Sequence, residues 1–315
     1  MTPLKARSLD LSIVIPVFNS EKTIEIVIKS ILDLKLKISF EFILVDDCSS
    51  DRSVEVISRL IRKYKRKITL ITLAKNFGEH NAVMAGLSFA KGNRVIIMDD
   101  DLQNPPREIS KLYYTSVKSD YDVIYTRYKK KEHNLFRNLG SYFANITADI
   151  LLDKPKKLYL SSFKILKINV VKNILSYQGP YPYIDGLIFQ STSSVSSMFV
   201  DHFPRNSGES NYTVKKLIRL WMTIAFNFSV KPLRFSLFIG LIAFLVSIIL
   251  MCYSFLDFIA TSNVISGWTS TTILISFFGG LNLMFIGLMS EYIGRIFLTT
   301  NKRPQFIIKS IFKTP

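Results

Sequence analysis

The sequence predicts an α/β fold with a doubly wound, mostly parallel sheet, followed by an amphipathic juxtamembrane helix and a two-helix transmembrane hairpin. Three observations carry this. Short apolar strand signals alternate with helical periods through the first hundred residues. Two long apolar runs follow, with Asp257 the only charge between Phe235 and Ser290. A chain 48% hydrophobic also carries a net charge of +17, so apolar and basic character must sit in different segments.

The elements follow in order. Leu11–Val17 reads as a buried strand. Ser20–Leu34 then places Ile24, Val27, Ile28, Ile31 and Leu34 at helical spacing. Phe40–Val45 is the second strand and runs into acids. Ser53–Arg66 repeats the helical period, and Ile68–Leu73 is the third strand. Glu79–Ala90 is a small-residue helix, and Arg94–Met98 a fourth strand that again ends in acids. Pro105 and Pro106 begin the next helix, where a missing N–H costs nothing.

In the last third, Phe235–Leu256 and Trp268–Ser290 are each long enough to cross about 30 Å of hydrocarbon at about 1.5 Å per residue. Lys231 and Arg234 precede the first run; Arg295, Lys302 and Arg303 follow the second. The positive-inside rule places both termini in the cytoplasm of a multi-pass inner-membrane protein. Met1–Asp10 is polar and Leu11–Val17 too short for a signal peptide. Between Lys215 and Phe228, Leu217, Leu220, Trp221, Ile224 and Phe228 oppose Lys215, Lys216 and Arg219, the pattern of an interfacial helix on anionic lipid. The expected organisation is an α/β domain over 1–210, an interfacial segment over 211–232, two spans within 233–292 (about 235–256 and 268–290) and a basic tail over 293–315.

Composition excludes several classes. Two cysteines, Cys48 and Cys252, cannot make a disulfide scaffold. His80, His133 and His202 are too scattered for a zinc cluster. Neither G-x-G-x-x-G after the first strand nor a P-loop string occurs. The basic clusters flank the apolar spans, which favours lipid over nucleic acid as their partner.

In doubly wound sheets, ligands bind beyond the carboxyl ends of the strands. Asp46-Asp47 and Asp99-Asp100-Asp101 fall at two such ends. So many carboxylates at one edge call for a cation, and a divalent metal holding a diphosphate answers that need. Two solvated acidic loops are the plainer alternative.

Four strings then carry a resemblance: S-I-V-I-P-V-F-N-S-E at 12–21, I-L-V-D-D-C-S-S-D at 43–51, N-F-G-E-H-N-A-V-M-A-G at 76–86 and M-D-D-D-L-Q-N-P-P at 98–106. Together they resemble glycosyltransferase family 2 with the GT-A fold. The apolar hairpin, with R-N-S-G-E-S-N-Y at 205–212, narrows the resemblance to the polyprenyl-phosphate glycosyltransferases. That group includes dolichyl-phosphate mannose synthase and the bacterial undecaprenyl-phosphate sugar transferases.

The resemblance implies roles by position. Pro16, Asn19, Glu21, Asp46, Asp47 and Lys75 fall in the nucleotide site, with Asp99 and Asp100. Asp101 is the expected ligand for Mg²⁺ or Mn²⁺, with Gln103 beside it. Arg127, Arg137 and Ser141 hold the acceptor phosphate, and Arg205 closes over the diphosphate. Asp99, Asp101, Arg127, Arg137 and Arg205 form the expected catalytic set. Asp185 is either a sugar contact or a helix N-cap or loop anchor; His202 is a second sugar-site candidate, and His80 reads as structural.

Cys48 stands where relatives carry Gly and reads as a small space filler; Lys164 replaces a common Arg, so a direct phosphate contact by it is in doubt. The implied reaction moves one sugar from a nucleotide-sugar donor, with a UDP-sugar preferred, to polyprenyl phosphate with inversion. The alternatives are transfer to a saccharide hydroxyl and a catalytically silent scaffold. The sequence leaves a homo-oligomer open.

Overall fold

A computed structural model describes residues 9–64, 67–128, 158–201, 231–261 and 267–313. The readings for Arg137, Ser141, His133, His202, Arg205 and the interfacial helix fall outside these residues.

The expected first half is present nearly element for element: β1 (Leu11–Val17), α1 (Ile24–Asp33), β2 (Phe40–Asp46), α2 (Ser53–Lys63), β3 (Ile68–Leu73), α3 (Glu79–Leu87), β4 (Arg94–Ile97) and α4 (Arg107–Ser119). Pro106 is the residue that caps α4, so the helix starts just after the proline pair. The helices bury one face each, Ile24, Val27, Ile28 and Ile31 in α1 and Val56, Ile57, Leu60 and Ile61 in α2. Arg62 and Lys63 in the last turn of α2 complement its C-terminal dipole.

Then come β5 (Val123–Tyr128), β6 (Lys164–Lys167), α5 (Ile168–Leu175), α6 (Ile184–Ser191), β7 (Val195–Val200), α7 (Lys231–Thr261), α8 (Trp268–Thr300) and β8 (Ile308–Lys313). One eight-stranded sheet runs β7-β5-β6-β4-β1-β2-β3-β8. The β4-β1-β2-β3 block and the β5/β7 pair are parallel. β6 runs antiparallel to both β4 and β5, and β8 antiparallel to β3, so the sheet is mixed, with six of its eight strands running the same way as expected of a mostly parallel sheet.

Both faces are covered. Leu11, Ile13, Ile15 and Val17 of β1 face a core shared with α1, α2 and α4. Val14 faces the opposite core, with α3, α5 and α6. There α3 lies so close that a Cβ on Gly86 would collide with Val14 Cγ1, so only glycine fits. Pro16 interrupts no ladder bond: it pairs with Val45 on one side, and the pairing of β1 with β4 stops at Val14.

α7 has 31 residues and α8 has 33. Among the described residues one segment, 277–300, is long and apolar enough by length and composition to cross a membrane. It lies further along than the Trp268–Ser290 run read from sequence. The reading of 293–315 as a plain basic tail missed two features. α8 continues to Thr300, and after a short link β8 joins the eight-stranded sheet. The link is clamped: Gln305 Nε2 donates to Tyr177 O at 2.6 Å, and Ala74 N donates to Ile307 O at 2.9 Å.

Candidate active site at the carboxyl edge of the sheet

The loops after β1 and β2 interlock. Asn19 Oδ1 accepts Ser50 N at 2.8 Å, and Asn19 N donates to Ser49 Oγ at 3.0 Å. Asp51 Oδ2 accepts Glu21 N at 3.0 Å, and Glu21 Oε2 accepts Arg52 N at 3.1 Å. The side chains expected to cradle the nucleotide therefore also lock the cradle's two walls together. Asn19 and Cys48 sit there with left-handed backbone, φ 54° and 63°. Asn tolerates this conformation; Cys carries strain that Gly would not. Cys48 is exposed, so it fills no internal space and the space-filler reading is corrected.

Asp46 and Asp47 are buried, at 3% and 4% exposure. Burial pushes both carboxyls up from their ordinary range. Asp46 accepts the Ser49 N–H at 3.3 Å. Asp47 accepts Phe77 N at 2.7 Å through one oxygen and Gly78 N at 2.8 Å through the other. Gly78 has φ 91°, so this clasp fixes a turn that a side chain would strain. Lys75 is exposed in the same loop, with its ammonium 5.1 Å from the centre of the Phe77 ring.

Asp99, Asp100 and Asp101 are half-buried just beyond β4. Ser162 Oγ donates to Asp99 Oδ2, and Ser20 Oγ donates to Asp100 Oδ2. Gln103 N donates to Asp101 Oδ1 at 3.1 Å, across a left-handed Leu102. Burial, then the charge of Glu79, pushes Asp99 up to about 7. Burial likewise pushes Asp100 up to about 7, with Asp99 and Asp101 adding to the rise. Among the described residues the loop gathers three carboxylates at one edge, with Lys164 close enough to lower the Asp99 carboxyl in part.

Behind it lies a buried ion pair. Lys164 is 4% exposed and Asp185 7%. Lys164 Nζ donates to Asp185 Oδ1, and Tyr125 Oη donates to the same oxygen at 2.8 Å. Asp185 lies in the first turn of α6, whose N-cap is Tyr183, so the N-cap reading is corrected. Its carboxylate is drawn inward to Lys164, whose charge offsets its burial. His80 packs edge-on against Tyr183, ring centres 5.1 Å apart, and burial pushes it down to about 4. It is a neutral packing residue, as expected.

Arg127 stands at the end of β5 with its guanidinium 5.2 Å from the centre of the Phe199 ring on β7. Sequence reasoning missed Ser20, Ser162 and Tyr125. Ser20 sat inside a recognised string, but Tyr125 belongs to a strand, and Ser162 to the bend before one, that gave no clear signal.

The donor set for a metal is all oxygen, which suits a hard divalent ion. Among the described residues no three His, Cys, Asp or Glu side chains gather as a metal-binding group. The oxygen atoms of Asp99, Asp100 and Asp101 suit a hard divalent ion that also takes phosphate oxygens from a substrate.

The family model for glycosyl transferase family 2 matches residues 12–175, which contain the whole acid edge. An undecaprenyl-phosphate 4-deoxy-4-formamido-L-arabinose transferase of Pectobacterium carotovorum is 31% identical over 306 residues, covering 95% of this chain and 93% of that protein. The transferase of the same name from Photorhabdus laumondii is 29% identical, with the same coverage. Among solved structures, glucosyl-3-phosphoglycerate synthase from Mycobacterium tuberculosis, in complex with Mn²⁺, UDP-glucose and phosphoglyceric acid, aligns with a TM-score of 0.50 at 16% identity. It covers 69% of this chain and 78% of that one, a likeness that shows a shared fold. A matched family model over half the chain, on an α/β sheet with acids at its carboxyl edge, makes this chain a member of glycosyltransferase family 2 and an enzyme of sugar transfer.

Proposed function

We propose that the enzyme transfers a single sugar from a nucleotide-sugar donor, a UDP-sugar by preference, to a polyprenyl phosphate such as undecaprenyl phosphate, inverting the anomeric carbon. The observation that carries this is the Asp99–Asp101 loop on a sheet whose edge strand β8 follows directly from the apolar helix α8. In this reading the diphosphate binds at that edge, near the end of α8, where a lipid phosphate would present itself. The names of the relatives support the same acceptor.

In this reading α7 and α8 form a hairpin across the cytoplasmic membrane, with the catalytic domain and both termini on the cytoplasmic side. Pro16, Asn19, Glu21 and Asp46 line the base and ribose, with Lys75 nearby. Asp101 and Gln103 hold Mg²⁺ or Mn²⁺, and Asp99 and Asp100 border the sugar and ribose. A divalent ion would neutralise charge on the departing nucleotide diphosphate. Arg205 shares that task, while Arg127, Arg137 and Ser141 orient the acceptor.

A phosphate monoester has a second pKa of about 6, so the attacking oxygen is already ionised at neutral pH. It needs orientation rather than deprotonation. Transfer to a sugar hydroxyl would need a base, and the engagement of Asp185 by Lys164 and Tyr125 argues against it serving as one.

The test is incubation of membranes containing the protein with undecaprenyl phosphate and a panel of labelled nucleotide sugars. Labelled, mild-acid-labile lipid from one donor is expected. No labelled lipid from any donor overturns the proposal.

A further inference from the structure

Strand register, carried one step past the ends of β4 and β6 by the Ser162–Asp99 hydrogen bond, aligns four residues at the carboxyl edge. Lys164 of β6 pairs with Tyr125 of β5 and with Ile97 of β4. Two residues onward along β5 and β4, and two back from Lys164, stand Arg127, Asp99 and Ser162. The Ser162–Asp99 hydrogen bond closes one end of the row. At the other end Phe199 of β7 pairs with Arg127. The row therefore reads Phe199, Arg127, Ser162, Asp99. At about 4.8 Å per strand, Arg127 stands roughly 10 Å from the acid loop, room for a sugar between two phosphates. Phe199 lies one strand further out.

Phe199 is 50% exposed on an edge strand, whereas Val200 beside it is buried. Its backbone is fixed from α4: Lys111 Nζ donates to Phe199 O at 3.1 Å, and Arg107 Nη2 pairs with Asp201 Oδ2 at 2.8 Å. The ring is thus presented from a held position. Arg127 lies over it, and no carboxylate among the described residues pairs with that guanidinium. A stacked guanidinium keeps its edge N–H donors available for a phosphate. A cation and an exposed ring side by side complement a phosphate that continues into an apolar chain.

We propose that Phe199 is a specificity-determining residue for the acceptor: its ring receives the isoprene unit next to the phosphate oriented by Arg127. This rests on the polyprenyl phosphate reading above.

The test uses the full chain in nanodiscs with undecaprenyl phosphate and the active donor. Phe199→Ala should raise the KM for undecaprenyl phosphate about tenfold, the scale of losing one apolar contact. The KM for the nucleotide sugar should stay unchanged, which also shows the variant is folded. Phe199→Leu should recover most of the loss, because leucine restores apolar contact. An unchanged acceptor KM in Phe199→Ala overturns the inference, as does an equal rise in both KM values. So does a Phe199→Leu variant as impaired as Phe199→Ala, since the ring would then serve only as a shelf for Arg127. Wild-type protein that makes no lipid-linked sugar fails the underlying reading instead, and the two failures are distinguished by that control.

Discussion

The two acid clusters look alike as sequence and differ in structure. Asp46-Asp47 and Asp99-Asp100-Asp101 both follow a strand into the same edge. Asp47 spends both oxygens on the backbone N–H groups of Phe77 and Gly78. Asp99 and Asp100 each take one serine hydroxyl, and burial and mutual repulsion push them up to about 7. One cluster ties an acid to two backbone N–H groups; in the other, Asp99 and Asp100 meet serine hydroxyls and stay raised by burial, a rise that a cation would relieve. A carboxylate's partners, rather than its place after a strand, decide whether it builds the site or serves it.

The comparison can be broken most directly at Asp101. Asp101→Ala is expected to lower transfer by about a thousandfold, the scale of losing a main electrostatic contact, while the protein still folds. Activity near the wild-type level in a lipid-transfer assay would remove the loop from the chemistry. Next, Lys164→Met and Asp185→Asn should each cost about 3 kcal/mol of stability by leaving a buried charge unpaired. The double variant should cost less than their sum, as a denaturation cycle would show. Additive losses would mean the pair is not coupled.

Asp47→Ala should cost about 2 kcal/mol by stranding two N–H donors, with a lowered unfolding midpoint as the readout. If that variant kept its stability but lost donor binding, Asp47 would belong with the substrate-facing acids after all. The smallest effect concerns the wall of the cradle. Cys48→Gly should gain about 0.5 kcal/mol by relieving a left-handed backbone, offset by the greater freedom of glycine when unfolded. A loss of stability would show that the thiol makes a contact worth more than the strain.

Much of this was legible in the sequence. The period of α1 and α2 and the largely apolar runs of β1 to β3 fix those elements, because each buries a continuous face. The strands after α4 were not. β6 has four residues, K-I-L-K, and leads without a break into α5, so it reads as the start of a helix. β8, I-K-S-I-F-K, is a half-exposed edge and reads as a basic tail. The acid loop was visible because its residues are adjacent. Its supports were not: Ser162 and Ser20 reach it from other strands' loops, and Lys164 meets Asp185 only through the tertiary fold. Lys164 stood out in the sequence only as a substitution for Arg.

The closing of β8 on β3 sets an order of assembly. Thr72 and Ser310, whose hydroxyls meet at 2.6 Å, are 238 residues apart. During synthesis the β3 edge stays open until α7 and α8 have both emerged, since chains are made from the N-terminus onward. An open strand edge is a template for wrong pairing. The sheet is therefore sealed by the same stretch of chain that has just laid down the apolar helices. A molecule that stalls at those helices keeps an unfinished edge, a mark by which quality control can tell it from a completed one.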